Sequence, residues 1–151
     1  MMRKTKRPVP PVELDQARDQ VTLGVPARPE MWSIVRMTAS VLAARLELTF
    51  EEVEDLRLAV TELCSSCAVG AALDATCEAR FEISGDRFEL HLDISTVEGS
   101  PPPTGEQGHF SMLELSKQIL LATVDDHAID PVQDGLRHAY LRKDSTPMAL
   151  R

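Results

Sequence analysis

The sequence predicts an α+β fold: a two-layer sandwich with a mixed, mostly antiparallel sheet and its helices on one face. Three observations carry this. "TCEARFEIS" (76–84) and "RFELHLDIS" (87–95) alternate apolar and polar residues strictly around Gly85-Asp86, the pattern of a hairpin with one dry face. Two earlier segments, 30–46 and 49–70, repeat apolar residues at three- and four-residue spacing, as amphipathic helices do. A sheet with one dry face must be covered, and these helices are available to cover it.

The elements follow in order. Residues 1–19 read as a tail, with Pro8, Pro10 and Pro11 opposing regular structure. "QVTLGV" (20–25) alternates as a strand does, and Pro26 and Pro29 end it. The first helix, Glu30 to Leu46, sets Ile34, Met37, Val41 and Ala44 on one stripe, widened by Met31, Val35 and Leu42. Thr49-Phe-Glu-Glu52 opens the second helix as a capping box, in which the Thr hydroxyl and the Glu carboxylate satisfy free backbone N–H groups reciprocally. Val53, Leu56, Val60, Leu63 and Cys67 form its stripe, and Gly70 closes it. After the hairpin, "TVEGSPPPTGEQGHF" (96–110) is a long loop of the kind that serves as a lid or binding segment. A third helix is expected over Ser111–Leu121, with Met112, Leu115, Ile119 and Leu120 apolar. Two strands, near 122–129 and 136–142, flank "DPVQDG". The folded domain is expected at 20–144, with 145–151 as a second tail.

Composition narrows the function classes. The 151 residues are 43% hydrophobic and 26% charged, ordinary values for one domain with a real core. No run of 18 apolar residues exists, so no membrane span is expected. The basic start has no apolar segment after it, which argues against a secretory signal and for a cytoplasmic protein. Net charge is −8, yet Arg3, Lys4, Lys6 and Arg7 fall within the first seven residues, leaving the remainder at −12. So acidic a domain is a poor binder of phosphate backbones, and no direct nucleic-acid partner is expected. The basic tail reads first as a solvated terminus.

Three cysteines, an odd number, do not suggest a disulfide framework. Cys64-Ser-Ser-Cys67 has the spacing of redox and metal sites, but lacks a second pair or a nearby His. Inside a helix these thiols read first as small core residues, and their oxidation to a disulfide would require local distortion. A cysteine-based redox sensor is therefore only a second alternative.

In "LRLAVTELCSSCA" (56–68) a carboxylate, Glu62, sits beside the apolar stripe. Taken alone, it could tip into solvent or pair with Arg57 or Arg80. Ser65 and Ser66 could simply permit close packing.

Together with the element order, "VPARPEMWSIVRMTASVLA" and "EEVEDLRLAVTELCSSCAVGA" resemble the anti-sigma-factor serine protein kinases of the GHKL (histidine-kinase-like) ATPase superfamily, from about Val21 to Lys143. The family's second helix reads approximately D-[IL]-x-L-A-V-x-E-x-x-x-N-A, which Asp55, Leu56, Leu58, Ala59, Val60 and Glu62 fit. The resemblance implies a Bergerat-like sandwich with ATP and Mg²⁺ as cofactors. It implies Glu62 as a general base in the nucleotide pocket, and it puts Ser66 where the family has a Mg²⁺-binding Asn. Asp93 stands nearest to the adenine-reading Asp, and Gly105 and Gly108 remain from the phosphate-binding entry to the third helix. The motifs around them are eroded. "LDISTVEGS" lacks the Asp-x-Gly-x-Gly spacing, "GEQGHFSMLEL" lacks the Gly-x-Gly-Leu, and Gly135-Leu136-Arg137 replaces a Gly-Thr before the last strand.

The same resemblance implies partners: a sigma factor of RNA polymerase, and a STAS-type anti-anti-sigma factor that competes for the same homodimer. Arg36 is the candidate partner contact, and could equally form a surface ion pair. The expected function is an anti-sigma factor acting by partner switching, with weak or absent ATP use. The alternative is an active ATP-dependent kinase that phosphorylates the STAS partner on a serine.

Overall fold

Alternation at the N-terminal end becomes β1, Arg18–Pro26, which starts two residues before the expected strand. In the computed structural model, which describes residues 18–95 and 109–145, β1 pairs antiparallel with β2 (Thr76–Ser84). The hairpin partner β3 (Arg87–Ser95) follows in the expected register, Thr76 opposite Ser95 and Ser84 opposite Arg87. Gly85 enters that turn at φ +59, a conformation glycine adopts without a Cβ penalty and the first position of a II′ loop requires. Two further strands, β4 (Asp126–Ile129) and β5 (Leu136–Asp144), form a second hairpin. It turns at Asp134-Gly135, both with positive φ (52 and 73), as a I′ turn demands. The sheet order is β1-β2-β3-β5-β4. Expected as mostly antiparallel, it is antiparallel in each of its four pairings. The remaining tail residues, 1–17 and 146–151, and the loop 96–108 lie outside the described residues.

Three helices cover one face. A 3-10 turn at Pro29–Met31 leads into α1 (Trp32–Ala43). α2 (Phe50–Cys67) carries the complete capping box: the Glu52 backbone N–H donates to Thr49 Oγ1 at 3.1 Å, and the Thr49 N–H donates to Glu52 Oε2 at 2.6 Å. α3 spans His109–Thr123, longer at both ends than expected. Residues 122 and 123 therefore close a helix rather than open a strand. The Thr123 hydroxyl donates back to the Ile119 carbonyl, and Lys143 Nζ donates to the Thr123 carbonyl, which helps satisfy the helix end.

Two helical stripes differ from expectation. α1 buries Trp32, Val35, Ala39, Leu42 and Ala43, while Ile34, Met37 and Val41 are 46%, 68% and 66% exposed. Both sets have helical spacing. The inward one contains the small Ala39 and Ala43, which let α1 approach α2 and β2 closely. On α3, Leu120 is buried as expected, but Ser116 and Thr123 join it and Leu115 is 59% exposed. α3 meets α2 mainly with a partly polar face, and the apolar count alone misplaced it.

The core lies between the layers. Leu56, Ala59, Val60, Leu63, Cys64 and Cys67 of α2 pack toward Cys77, Ala79, Phe81 and Ile83 of β2 and Phe88, Leu90, Leu92 and Ile94 of β3. The rings of Phe81 and Phe88 meet edge-on at 6.2 Å, a favoured aromatic geometry. The other face of the sheet carries no helix among the described residues, and Arg80, Glu82, Glu89, His91, Asp93, His138, Tyr140 and Arg142 line it, each half-buried.

Candidate functional site

The second helix is the place to build from. Glu62 and Ser66 stand one turn apart on α2, so the spacing brings them to neighbouring positions on one face. Glu62 is half-buried and tips neither into solvent nor toward Arg57 or Arg80. Instead, the buried Ser116 hydroxyl of α3 donates to Glu62 Oε2 at 2.7 Å, a short, charge-assisted bond. Arg57 pairs with Glu54, and Arg80 with Glu82 on the far side of the sheet. Sequence reasoning missed Ser116. Its signal was a polar residue one turn before Leu120 on a helix whose apolar spacing was poor.

Ser66 is 2% exposed, and its hydroxyl has no hydrogen-bond partner among the described residues. Its carbonyl is engaged differently. Arg137 Nη1 donates to the carbonyls of Val69 (2.9 Å) and Ser66 (3.4 Å), so a guanidinium caps the C-terminal end of α2, where carbonyls lack helical partners and the dipole is negative. This explains Arg137 in the stretch that replaces the family's Gly-Thr: it serves the helix end.

Arg36 reaches from α1 to Thr61, the neighbour of Glu62, with Nη1 donating to Thr61 Oγ1 at 3.2 Å. It is half-buried between α1 and α2, and makes no ion pair with the described residues. Asp93 does not join this group. Its side chain projects from the open face of β3, where Oδ1 lies 2.8 Å from His138 Nδ1, with the sheet between it and the helices. Alternation decides this: Asp93 sits between the buried Leu92 and Ile94, so it must point away from them. An adenine-reading role from that position is not compatible with a pocket on the helical side. Gly105 and Gly108 lie outside the described residues.

Magnesium and ATP, implied by the family resemblance, can be tested against these side chains. Mg²⁺ requires several hard oxygens in octahedral array. At the motif's Asn position the chain offers one neutral hydroxyl, enclosed at 2% exposure. Among the described residues, no group of three metal-binding side chains forms on the helical side. A cleft of about 180 Å³ at the C-terminal end of α2 is lined by Cys67, Val69, Ile94, Val132 and Arg137 among others, none of them a carboxylate. Among the described residues, then, no oxygen ligand set for magnesium is assembled at this end of α2; Gly105 and Gly108, the candidate phosphate contacts, lie outside them.

The thiols are free and buried. Burial pushes the Cys64 thiol well above its ordinary range, with Cys77 and Cys67 adding to the effect. Burial likewise pushes Cys67 and Cys77 up to about 12, helped by Cys77 in the first case and by Asp93 in the second. Protonated, enclosed thiols are poor nucleophiles and poor redox sensors.

Comparison with known proteins adds an independent line. Over 131 residues, 85% of this chain and 74% of the other, the chain is 34% identical to the serine-protein kinase RsbW of Bacillus licheniformis. The chain belongs to the RsbW family. Identity to the RsbW of Listeria innocua is 31% over 126 residues, covering 81% of this chain and 80% of that one. With the RsbW of Bacillus velezensis it is 29% over 126 residues, covering 82% and 71%. No protein-family model matches the chain. RsbW relatives bear the name of serine-protein kinases, which sets the question the site must answer: whether this member keeps the chemistry. No helix among its described residues is long and apolar enough to cross a membrane.

Proposed function

We propose that this RsbW-family chain is an anti-sigma factor that sequesters a sigma factor of RNA polymerase and releases it to a STAS-type anti-anti-sigma factor, with weak or absent use of ATP. The observation that carries this reading is the contrast within α2. The helix, its cap and its buried stripe are complete. Its two chemical positions are not: Glu62 is held by Ser116, and Ser66 presents an enclosed hydroxyl in place of an amide. Phosphoryl transfer depends on positioning and charge neutralisation, and the engaged Glu62 together with the missing amide at Ser66 supports weak use of ATP. Sequestration needs only a surface. α1 supplies one in Ile34, Met37 and Val41, exposed apolar side chains on one stripe, with the half-buried, cationic Arg36 to one side of it. In this reading the sigma factor covers that stripe, and the binding unit is a homodimer.

A second reading, an active kinase for the STAS partner, is favoured by the name its relatives carry. Incubating the intact chain with labelled ATP, Mg²⁺ and the STAS protein separates the two. Sequestration without efficient chemistry gives little label on the STAS serine. Robust transfer that disappears in Glu62→Gln reverses the order. The redox alternative loses ground to the enclosed thiols. Sigma binding that changed on diamide treatment and no longer did so in Cys64→Ser would restore it.

A further inference from the structure

The open face of the sheet holds a group of side chains that the sigma and kinase readings do not use. Glu82 on β2 and Glu89 on β3 are directly opposite in the strand register, an arrangement of like charges that destabilises a sheet unless a cation lies between them. His91, two residues along β3 from Glu89, projects from the same face. One ligand atom from each of the three lies within 4.8 Å of the others, and all three residues are half-buried. In each carboxylate an arginine approaches Oε1: Arg80 Nε at 3.5 Å from Glu82, and Arg87 Nη1 at 3.9 Å from Glu89. Oε2 of Glu89 faces His91 Nε2 at 3.5 Å.

Behind His91 lies a chain of polar side chains. Asp93 Oδ1 lies 2.8 Å from His138 Nδ1. A carboxylate only accepts, so that nitrogen carries a proton, and the Nδ1–H tautomer of His138 presents Nε2 as an acceptor. In that tautomer His138 Nε2 lies 3.5 Å from His91 Nδ1, an arrangement in which Nδ1 can donate to it and Nε2 can turn its lone pair toward the two glutamates. Metal-binding histidines are held in this way, the far ring nitrogen donating to a chain of acceptors. Tyr140 packs on the His91 ring at a centroid distance of 4.9 Å and restrains it further.

We propose that Glu82, Glu89 and His91 form a binding site for a divalent transition metal of the zinc class on the open face of the sheet, with Asp93 and His138 as positioning residues. One imidazole nitrogen and two carboxylate oxygens are a donor set for zinc, cobalt or manganese rather than for magnesium. Zinc bonds to such atoms run about 2.0–2.2 Å, which places ligands roughly 3–3.5 Å apart; small rotations of the two glutamate side chains close the remaining gap. The site is separated from Glu62 and Ser66 by the sheet, so it stands independently of the proposed function.

The test is calorimetric titration of ZnCl₂ into the reduced, chelator-treated full chain, with His91→Ala and His127→Ala as variants. The expected result is one ion per chain with Kd below roughly 10 µM, weakened at least about tenfold in His91→Ala and unchanged in His127→Ala. Asp93→Asn, which disturbs only the positioning chain, is expected to weaken binding by about tenfold. Should His91→Ala fail to fold, ¹⁵N spectra of the wild-type histidine rings decide, because zinc must shift His91 Nε2 and leave Nδ1 protonated. Absence of binding at 100-fold higher zinc, affinity unchanged in His91→Ala, or zinc bound without a shift at His91 overturns the proposal. In each of those cases the positive charge beside the glutamates is that of Arg80 and Arg87.

Discussion

The hydroxyl of Ser116 lies 2.7 Å from the carboxylate of Glu62 and ties α3 to α2 at the position where the family resemblance places a catalytic base. The bond gives Glu62 a structural task. With Oε2 accepting from Ser116, that oxygen is engaged and is not free to orient a water or hydroxyl.

Replacing Ser116 with Ala is expected to cost about 1 kcal/mol, less than the roughly 1.5–3 kcal/mol of a hydrogen bond to a charged group, because Glu62 is only half-buried. Urea unfolding of Ser116→Ala, Glu62→Ala and the double variant measures the coupling directly. Strict additivity of the two single effects would remove the link.

Ser66→Ala is expected to leave stability unchanged or to raise it by up to about 1 kcal/mol, since it removes a buried hydroxyl that has no partner among the described residues. Thermal unfolding with and without Mg²⁺ checks this. A clear loss of stability, or a loss seen only with Mg²⁺ and ATP present, would show that the hydroxyl does bind something.

The raised thiols set a pH dependence. Cys67 and Cys77 keep their protons in the folded chain up to about 12, whereas unfolded thiols lose theirs near 8.5. Between those values the unfolded state binds fewer protons, so stability falls as pH rises. Its slope reaches at most about 1.4 kcal/mol per pH unit for each thiol. Urea midpoints measured from pH 8 to 11 should decline more steeply for the wild type than for Cys67→Ala. Parallel declines would contradict the assignment.

On α1, Met37 is 68% exposed between Ile34 and Val41. Met37→Asp should leave the fold intact and weaken sigma-factor binding at least about tenfold, the loss expected when a charge is forced into an apolar contact. Pull-down or calorimetry with the sigma factor tests it, and undiminished affinity would move the interface elsewhere.

Much of the fold was legible because local rules and tertiary packing agree. The hairpin at 76–95 alternates without a break, Asp134-Gly135 supplies the residues a I′ turn needs, and the Thr49–Glu52 cap formed as written. Legibility failed where two solutions have the same period. On α1 the stripes through Val35 and through Ile34 are both helical, and only close packing at Ala39 and Ala43 selects one. The candidate site was harder still. That Glu62 and Ser66 share a face follows from spacing alone, but Ser116 reaches Glu62 across 54 residues of chain, and no pattern within a segment reports such a contact. Asp93 was misplaced for a different reason. A motif was matched by position, while the alternation around Leu92 and Ile94 already fixed which way it points.

Calorimetric titration of the chain with the proposed sigma-factor partner in nucleotide-free, magnesium-free buffer tests the central claim most directly. A saturable complex whose affinity changes by less than about threefold when Mg²⁺ and ATP are added is the predicted result. No complex under either condition, or a complex that forms only with Mg²⁺ and ATP, would contradict it.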